Sequence, residues 1–142
     1  MKEEKKRRAP KIGDIYLINF SGSDHEQKGL RPGVIFQNNV GNDHSPNVIV
    51  LPLTSVIKRI ELPTHVLVPK EVGLLKDSIV LCENPECISK HKLGNYILSL
   101  PEEYIGKIAI ASLLASSAIS YVDPDLLLVA WQRAVALNVA TV

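Results

Sequence analysis

The sequence predicts a β-rich α+β domain: a small antiparallel barrel followed by two C-terminal helices. Two observations carry this prediction. From Ile12 to Leu100, short apolar runs recur between turns rich in Gly, Pro and Asn, the pattern of a compact all-antiparallel barrel. Beyond Leu100 the apolar residues recur instead at helical spacing.

The elements follow in order. Ile12 to Phe20 reads as a first strand with Ile15 and Leu17 on one face and Tyr16, Ile18 and Phe20 on the other. Both faces are apolar, so both are expected to be at least partly buried. Ser21 to Leu30 is a polar loop, Gly33 to Asn38 a second strand, and Asn39 to Asn47 a loop of Gly, Asn, Asp and Pro. Val48 to Leu53 is a third strand. Pro52 lacks an N–H and points to an edge or a bulge near its end. Thr64 to Val68, Ser78 to Glu83 and Tyr96 to Leu100 complete a set of six strands.

Ser99-Leu100-Pro101-Glu102 has the Ser-x-x-Glu form of a capping box. Ile105, Ile108, Ser112, Ala115 and Ile119 then repeat at helical spacing, which predicts a helix over about 101–119. Asp123-Pro124-Asp125 restarts a helix with a capping Asp and a Pro in its first turn, running over about 124–138. That helix is apolar nearly all round, so it is expected to be buried against the barrel or a partner, with Trp131 in a packed core.

A chain of 142 residues, 46% hydrophobic and 22% charged, is expected to form one soluble domain over 12–142. No apolar run approaches the roughly 20 residues of a membrane span. Met1 is followed by charges rather than an apolar signal core, so a cytoplasmic location is expected. The net charge is only +1, but the cations are unevenly placed. Lys5, Lys6, Arg7, Arg8 and Lys11 form a basic N-terminal arm over 1–11. The arm is expected to be disordered and able to add salt-dependent affinity for phosphates. Cys82, Cys87 and His91 match no zinc-site spacing. Reduced thiols, no metal and no cofactor are expected.

Arg31 stands at the mouth of the second strand and Thr54 at the exit of the third. If these strands are neighbours, a permanent cation and a hydroxyl meet at one edge of the barrel. Such a pair can anchor a phosphodiester and stabilise charge developing on its oxygens. Neither group is a general base at neutral pH. RNA supplies its own nucleophile in the 2′-hydroxyl, and Glu26 and Glu83 are the carboxylates able to take a proton. His25 and His44 lie in loops, His65 in a strand and His91 beside lysines, and nothing in the sequence pairs them.

Gly13-Asp14-Ile15-Tyr16, Glu26-Gln27, Gly29-Leu30-Arg31-Pro32, Gln37-Asn38, Ser45-Pro46, Thr54-Ser55, Leu62-Pro63-Thr64-His65-Val66 and Lys76-Asp77-Ser78 together resemble the MazF/PemK toxins of bacterial toxin–antitoxin modules. The resemblance runs in order from about Ile12 to Leu100. It implies an SH3-like barrel, a homodimer, and metal-independent cleavage of single-stranded RNA (mRNA) that leaves a 5′-hydroxyl and a cyclic or 3′-phosphate. It also implies a MazE-like antitoxin as partner, with operator DNA bound only through the antitoxin complex. Carried over by residue, Arg31 and Thr54 match the family's catalytic pair. Glu26, Lys28, Gln37, Ser55, Glu83 and Asn84 are the residues expected to face substrate. Glu86 stands where the family usually has an arginine, on a segment expected to border the RNA groove. The different-class alternative is a non-catalytic binding module, either a degenerate relative or one like the gyrase-directed CcdB toxins, in which a C-terminal tryptophan matters.

Overall fold

The computed structural model describes residues 8–20, 29–137 and 139. Seven strands form one sheet: β1 (Asp14–Phe20), β2 (Gly29–Ile35), β3 (Asn47–Thr54), β4 (His65–Val68), β5 (Ser78–Leu81), β6 (Glu86–Ser89) and β7 (Leu93–Ser99). They run β4-β5-β3-β2-β1-β7, with every pairing antiparallel. β6 pairs with the first half of β3, on the edge that β5 takes up at the strand's end. The barrel is open, because β4 and β7 end the ladder.

Alternating side chains divide between two cores. Ile15, Val34, Leu51 and Leu53 join Val66, Val80, Ile108 and Ala111 in one. Tyr16, Ile18 and Phe20 join Val48, Val50, Ile88 and Leu93 in the other. β1 and β3 therefore contribute to both faces, as their continuous apolar character predicts. Gly13 closes the end of the first core. Its φ is +87°, a conformation that favours glycine, and a Cβ there would meet the Ile105 side chain.

Several elements differ from the sequence expectation. Asn39–His44 is a short helix, α1, not a loop. Asn38 caps it by accepting from the Gly41 N–H at 2.9 Å. β6 was not expected, and β7 begins at Leu93 rather than Tyr96. Pro52 occupies a central strand, not an edge. The Phe36 N–H donates to Ile49 O, and with Gly33 opposite Pro52 in that register the alternation turns the Pro52 nitrogen away from β2. It falls where β3 leaves β6 and has yet to meet β5, so no ladder bond is lost.

α2 spans Glu102–Ala115, shorter than expected, and its cap is Pro101 with no side-chain bond. The expected capping box does not form. The Ser99 hydroxyl instead donates to Asp14 Oδ1 at 2.7 Å. Ser117, at φ 59°, turns the chain out of the helix. The buried Asp14 carboxylate also accepts from the Lys11 N–H at 2.9 Å and meets Arg8 Nε at 3.5 Å. Arg8 in turn lies 4.3 Å from the centre of the Tyr96 ring. Arg8 and Lys11 of the basic arm are thus tied to β1 and β7; residues 1–7 lie outside the described residues.

α3 spans Pro124–Ala136, and Asp123 caps it by accepting from the Asp125 N–H at 2.8 Å. The expectation that the barrel buries it is corrected. None of its residues is buried, and Trp131 is 50% exposed. No helix among the described residues is long and apolar enough to cross a membrane.

Candidate active site

The register of β2 on β3 sets Ile35 against Val50, Val34 against Leu51 and Gly33 against Pro52. Arg31 and Thr54 follow at the same end of this pair, one on each strand. β1 flanks Arg31 from the other side, with Ile18 opposite it. Both functional residues are half-buried. Together with Ser55 they line one cavity of about 660 Å³. The two strands expected to be neighbours are neighbours, and the cation and the hydroxyl share a site.

The loop from β4 to β5 closes the other side of this cavity with Leu74, Leu75 and Lys76, joined by Ser78 at the start of β5. That loop is held in place. The Lys70 N–H donates to Asp77 Oδ1 at 2.8 Å, and the Ser78 hydroxyl donates to Lys76 O at 3.0 Å. Gly73 turns the loop at φ +127°. Lys76 and Ser78 were not singled out as site residues from the sequence. The available signal was the Lys76-Asp77-Ser78 run, in which Asp77 fixes the loop while its neighbours face the cavity.

Among the described lining residues there are two cations, Arg31 and Lys76, and no carboxylate. The site is built to receive an anion. Thr54 Oγ1 accepts from the Val56 N–H at 3.1 Å, which orients the hydroxyl. Its own proton is left to donate toward a bound oxygen. A guanidinium, an ammonium and hydroxyls around one space can hold a phosphodiester and neutralise charge that builds on it.

The other expected substrate-facing residues are distributed differently. Glu26 and Lys28 lie outside the described residues. Gln37 is not in the cavity; its amide donates to Asn42 Oδ1 and to Asn47 O, both at 3.2 Å, and so ties α1 to β3. Glu83 is held by His65, whose Nε2 lies 2.7 Å from Glu83 Oε1. Asn84 is in the exposed turn that follows β5. Glu86 opens β6, half-buried and paired with Val50. Of the described residues in this group, Gln37, Glu83, Asn84 and Glu86, none lines the cavity. Among the described residues, no three His, Cys, Asp or Glu side chains come together as a metal site.

The chain matches the family of PemK-like, MazF-like toxins of type II toxin–antitoxin systems over residues 11–114. It is 36% identical over 115 residues to the endoribonuclease EndoA of Bacillus subtilis, an alignment covering 78% of this chain and 97% of the relative. It is 38% identical over 98 residues to the endoribonuclease MazF of Staphylococcus saprophyticus, covering 68% and 82%. Among solved structures it resembles a mycobacterial endoribonuclease determined in complex with its cognate antitoxin. That match has a TM-score of 0.65 at 28% identity and covers 77% of this chain and 96% of the other.

Proposed function

The chain belongs to the PemK-like, MazF-like toxin family of type II toxin–antitoxin systems, and we propose that it cuts single-stranded RNA at the cavity between β2, β3 and the β4–β5 loop. It is an endoribonuclease toxin, held in check by an antitoxin of its own module. The observation that carries the assignment of the site is the convergence of Arg31, Thr54, Ser55 and Lys76 on one cavity with no carboxylate among its described lining residues.

The chemistry follows from that composition. The RNA 2′-oxygen attacks the adjacent phosphorus, the bond to the 5′-oxygen breaks, and a 2′,3′-cyclic phosphate and a 5′-hydroxyl result. Two non-bridging oxygens gain negative charge on the way. Arg31 faces them with a planar fork of donors that stays charged at any working pH. Thr54 adds a hydroxyl donor, and Lys76 a second positive charge over the substrate backbone. The proton leaving the 2′-hydroxyl needs an acceptor, a role we assign to Glu26, and the departing 5′-oxygen takes its proton from solvent water. The protein works as a homodimer in the cytoplasm, where its mRNA substrate is, and meets operator DNA only as a complex with its antitoxin.

The test is incubation of the purified protein with a long single-stranded RNA in EDTA, followed by analysis of the new ends. Discrete fragments with 5′-hydroxyl and cyclic or 3′-phosphate ends are expected. Uncut RNA that is nevertheless bound would favour a binding module, the reading to which an exposed Trp131 lends weight.

A further inference from the structure

A second cavity, of about 740 Å³, opens on the opposite face of the β1–β7 ladder from the catalytic one. Tyr16 and Tyr96 line it, while their chain neighbours Leu17 and Ile97 line the catalytic cavity. Adjacent residues of a strand point to opposite faces, so the two cavities lie on either side of one sheet, and they share no described residue. β7 is the last strand on this side of the sheet. A flexible strand of RNA can therefore pass from one cavity to the other round the β7 edge.

The wall of the second cavity is held by a closed ring of four side chains. The Asp14 carboxylate, 1% exposed, meets Arg8 Nε at 3.5 Å and accepts from the Ser99 hydroxyl at 2.7 Å. With its proton given to Asp14, Ser99 Oγ accepts from the Tyr96 hydroxyl at 2.7 Å. Arg8 closes the ring over the Tyr96 face, 4.3 Å from its centre. Arg8 and Tyr96 are thus fixed against each other, yet the Arg8 side chain is 47% exposed and Tyr96 41%. Tyr16 backs Tyr96 edge-on, with ring centres 5.7 Å apart. The single turn Lys90–Lys92 adds Lys90 and His91 to the lining. Asp43 is the one carboxylate among the described lining residues.

An ordered tyrosine–guanidinium pair beside a lysine suits single-stranded RNA. The pair offers a flat surface to an unstacked base, and the lysine a cation to the neighbouring phosphate. Because Asp14 and Ser99 already fix the pair, little side-chain freedom is lost when a base lands on it. On the reading that the protein acts on single-stranded RNA, we propose that this cavity is a second, non-cleaving contact for the strand. A base packs on Arg8 and Tyr96, and an adjacent phosphate meets Lys90. An acidic peptide fits less well, since it would use the cations and leave the rings idle.

The test is binding of a labelled single-stranded RNA to full-length Arg31→Ala protein, in which cleavage is suppressed, across a salt series. Adding Tyr96→Ala should weaken binding roughly tenfold, the scale of losing one base–aromatic stack. Tyr96→Phe keeps the ring and should stay within about twofold. Lys90→Ala should make the slope of log K against log salt shallower by about 0.7, whereas Lys107→Ala, which lines neither cavity, should change nothing. Ultraviolet irradiation of the complex should join RNA to the peptide carrying Tyr96, a readout that does not depend on any variant folding. With Arg31 intact, Tyr96→Ala should slow cleavage at low protein concentration and leave the rate at saturation unchanged. Equal affinity of all the variants, or no crosslink at the β7 peptide, would overturn the proposal. So would loss of that crosslink on adding a free mononucleotide, which would make this a small-molecule site. Binding that depends on Tyr96 and Lys90 in a protein that never cuts RNA would sink the cleavage reading and leave this site standing. Cleavage with affinity indifferent to both residues would do the reverse.

Discussion

His65 Nε2 lies 2.7 Å from Glu83 Oε1, while His65 Nδ1 lies 3.0 Å from Arg59 O. The ring therefore joins three segments: the loop carrying Arg59, the start of β4 and the end of β5. Both partners are acceptors, and a ring N–H can donate to either of them. A carboxylate and a histidine that the sequence offers as separate candidates for chemistry are bonded to each other, away from the cavity that holds Arg31 and Thr54.

Glu83→Ala should accordingly act on stability. The His65 side chain is 9% exposed and that of Glu83 37%, so the bond is partly screened and its loss should cost about 1–2 kcal/mol. Urea unfolding should show the decrease, and cleavage under single-turnover conditions should stay within about threefold of the parent. A fall of a hundredfold in cleavage with unchanged stability would return Glu83 to the substrate site.

Arg31→Ala should remove the preorganised charge facing the phosphate. Losing one such donor costs about 3–4 kcal/mol of transition-state stabilisation, a loss of roughly two to three orders of magnitude in rate. The residue is only half-buried, so the variant should fold. Single-turnover cleavage in EDTA, with circular dichroism as the folding control, checks both statements. Full activity in the variant would remove Arg31 from the mechanism.

Thr54→Val tests the hydroxyl at constant shape and β-branching. Two losses are expected, because Thr54 Oγ1 accepts the Val56 N–H at 3.1 Å as well as facing the cavity. The structural share should be about 1 kcal/mol in urea unfolding. The rate should fall much further than that share explains. Thr54→Ser keeps the oxygen and should recover most of the activity.

The strands and the pairing of Arg31 with Thr54 were legible because they rest on local signals. Short apolar runs bounded by turn residues mark β1 to β5, and two adjacent strands place their ends together. What was not legible depends on distant partners. Ser99 fits a capping box locally, but its hydroxyl is taken by Asp14, 85 residues away in sequence. Asn39–His44 contains the residues of a turn. It is helical because Asn42, fully buried, bonds to Gln37 O and Asn39 Oδ1. β6 buries only Ile88, too little to raise an apolar pattern. The apolar character of α3 is a sequence signal of burial that this chain alone does not satisfy.

The two thiols should behave differently. Cys82 is buried in the first core, and desolvation pushes its pKa up to about 12, whereas Cys87 is exposed. A raised pKa favours the neutral thiol, and the thiolate is the reactive form. At pH 8 a thiol reagent should therefore modify Cys87 alone in the native protein and both residues after unfolding in urea. Rapid native labelling of Cys82 would show that the first core opens locally.

Lys76 is the site residue that strand patterns do not reveal, since it sits on the loop between β4 and β5 rather than on either strand. It shares the cavity with Arg31 and Thr54, and its ammonium can reach a backbone phosphate without directing the reaction. Lys76→Ala should therefore weaken RNA binding and leave the chemical step within about fivefold of the parent. A cation that neutralises one phosphate of a single strand contributes about 0.7 to the slope of log K against log salt. The slope measured for Arg31→Ala, Lys76→Ala should be shallower than that for Arg31→Ala by about this amount, with the two curves converging at high salt. Parallel slopes would mean that Lys76 faces solvent when RNA is bound, and that Arg31 alone supplies the positive charge of the site.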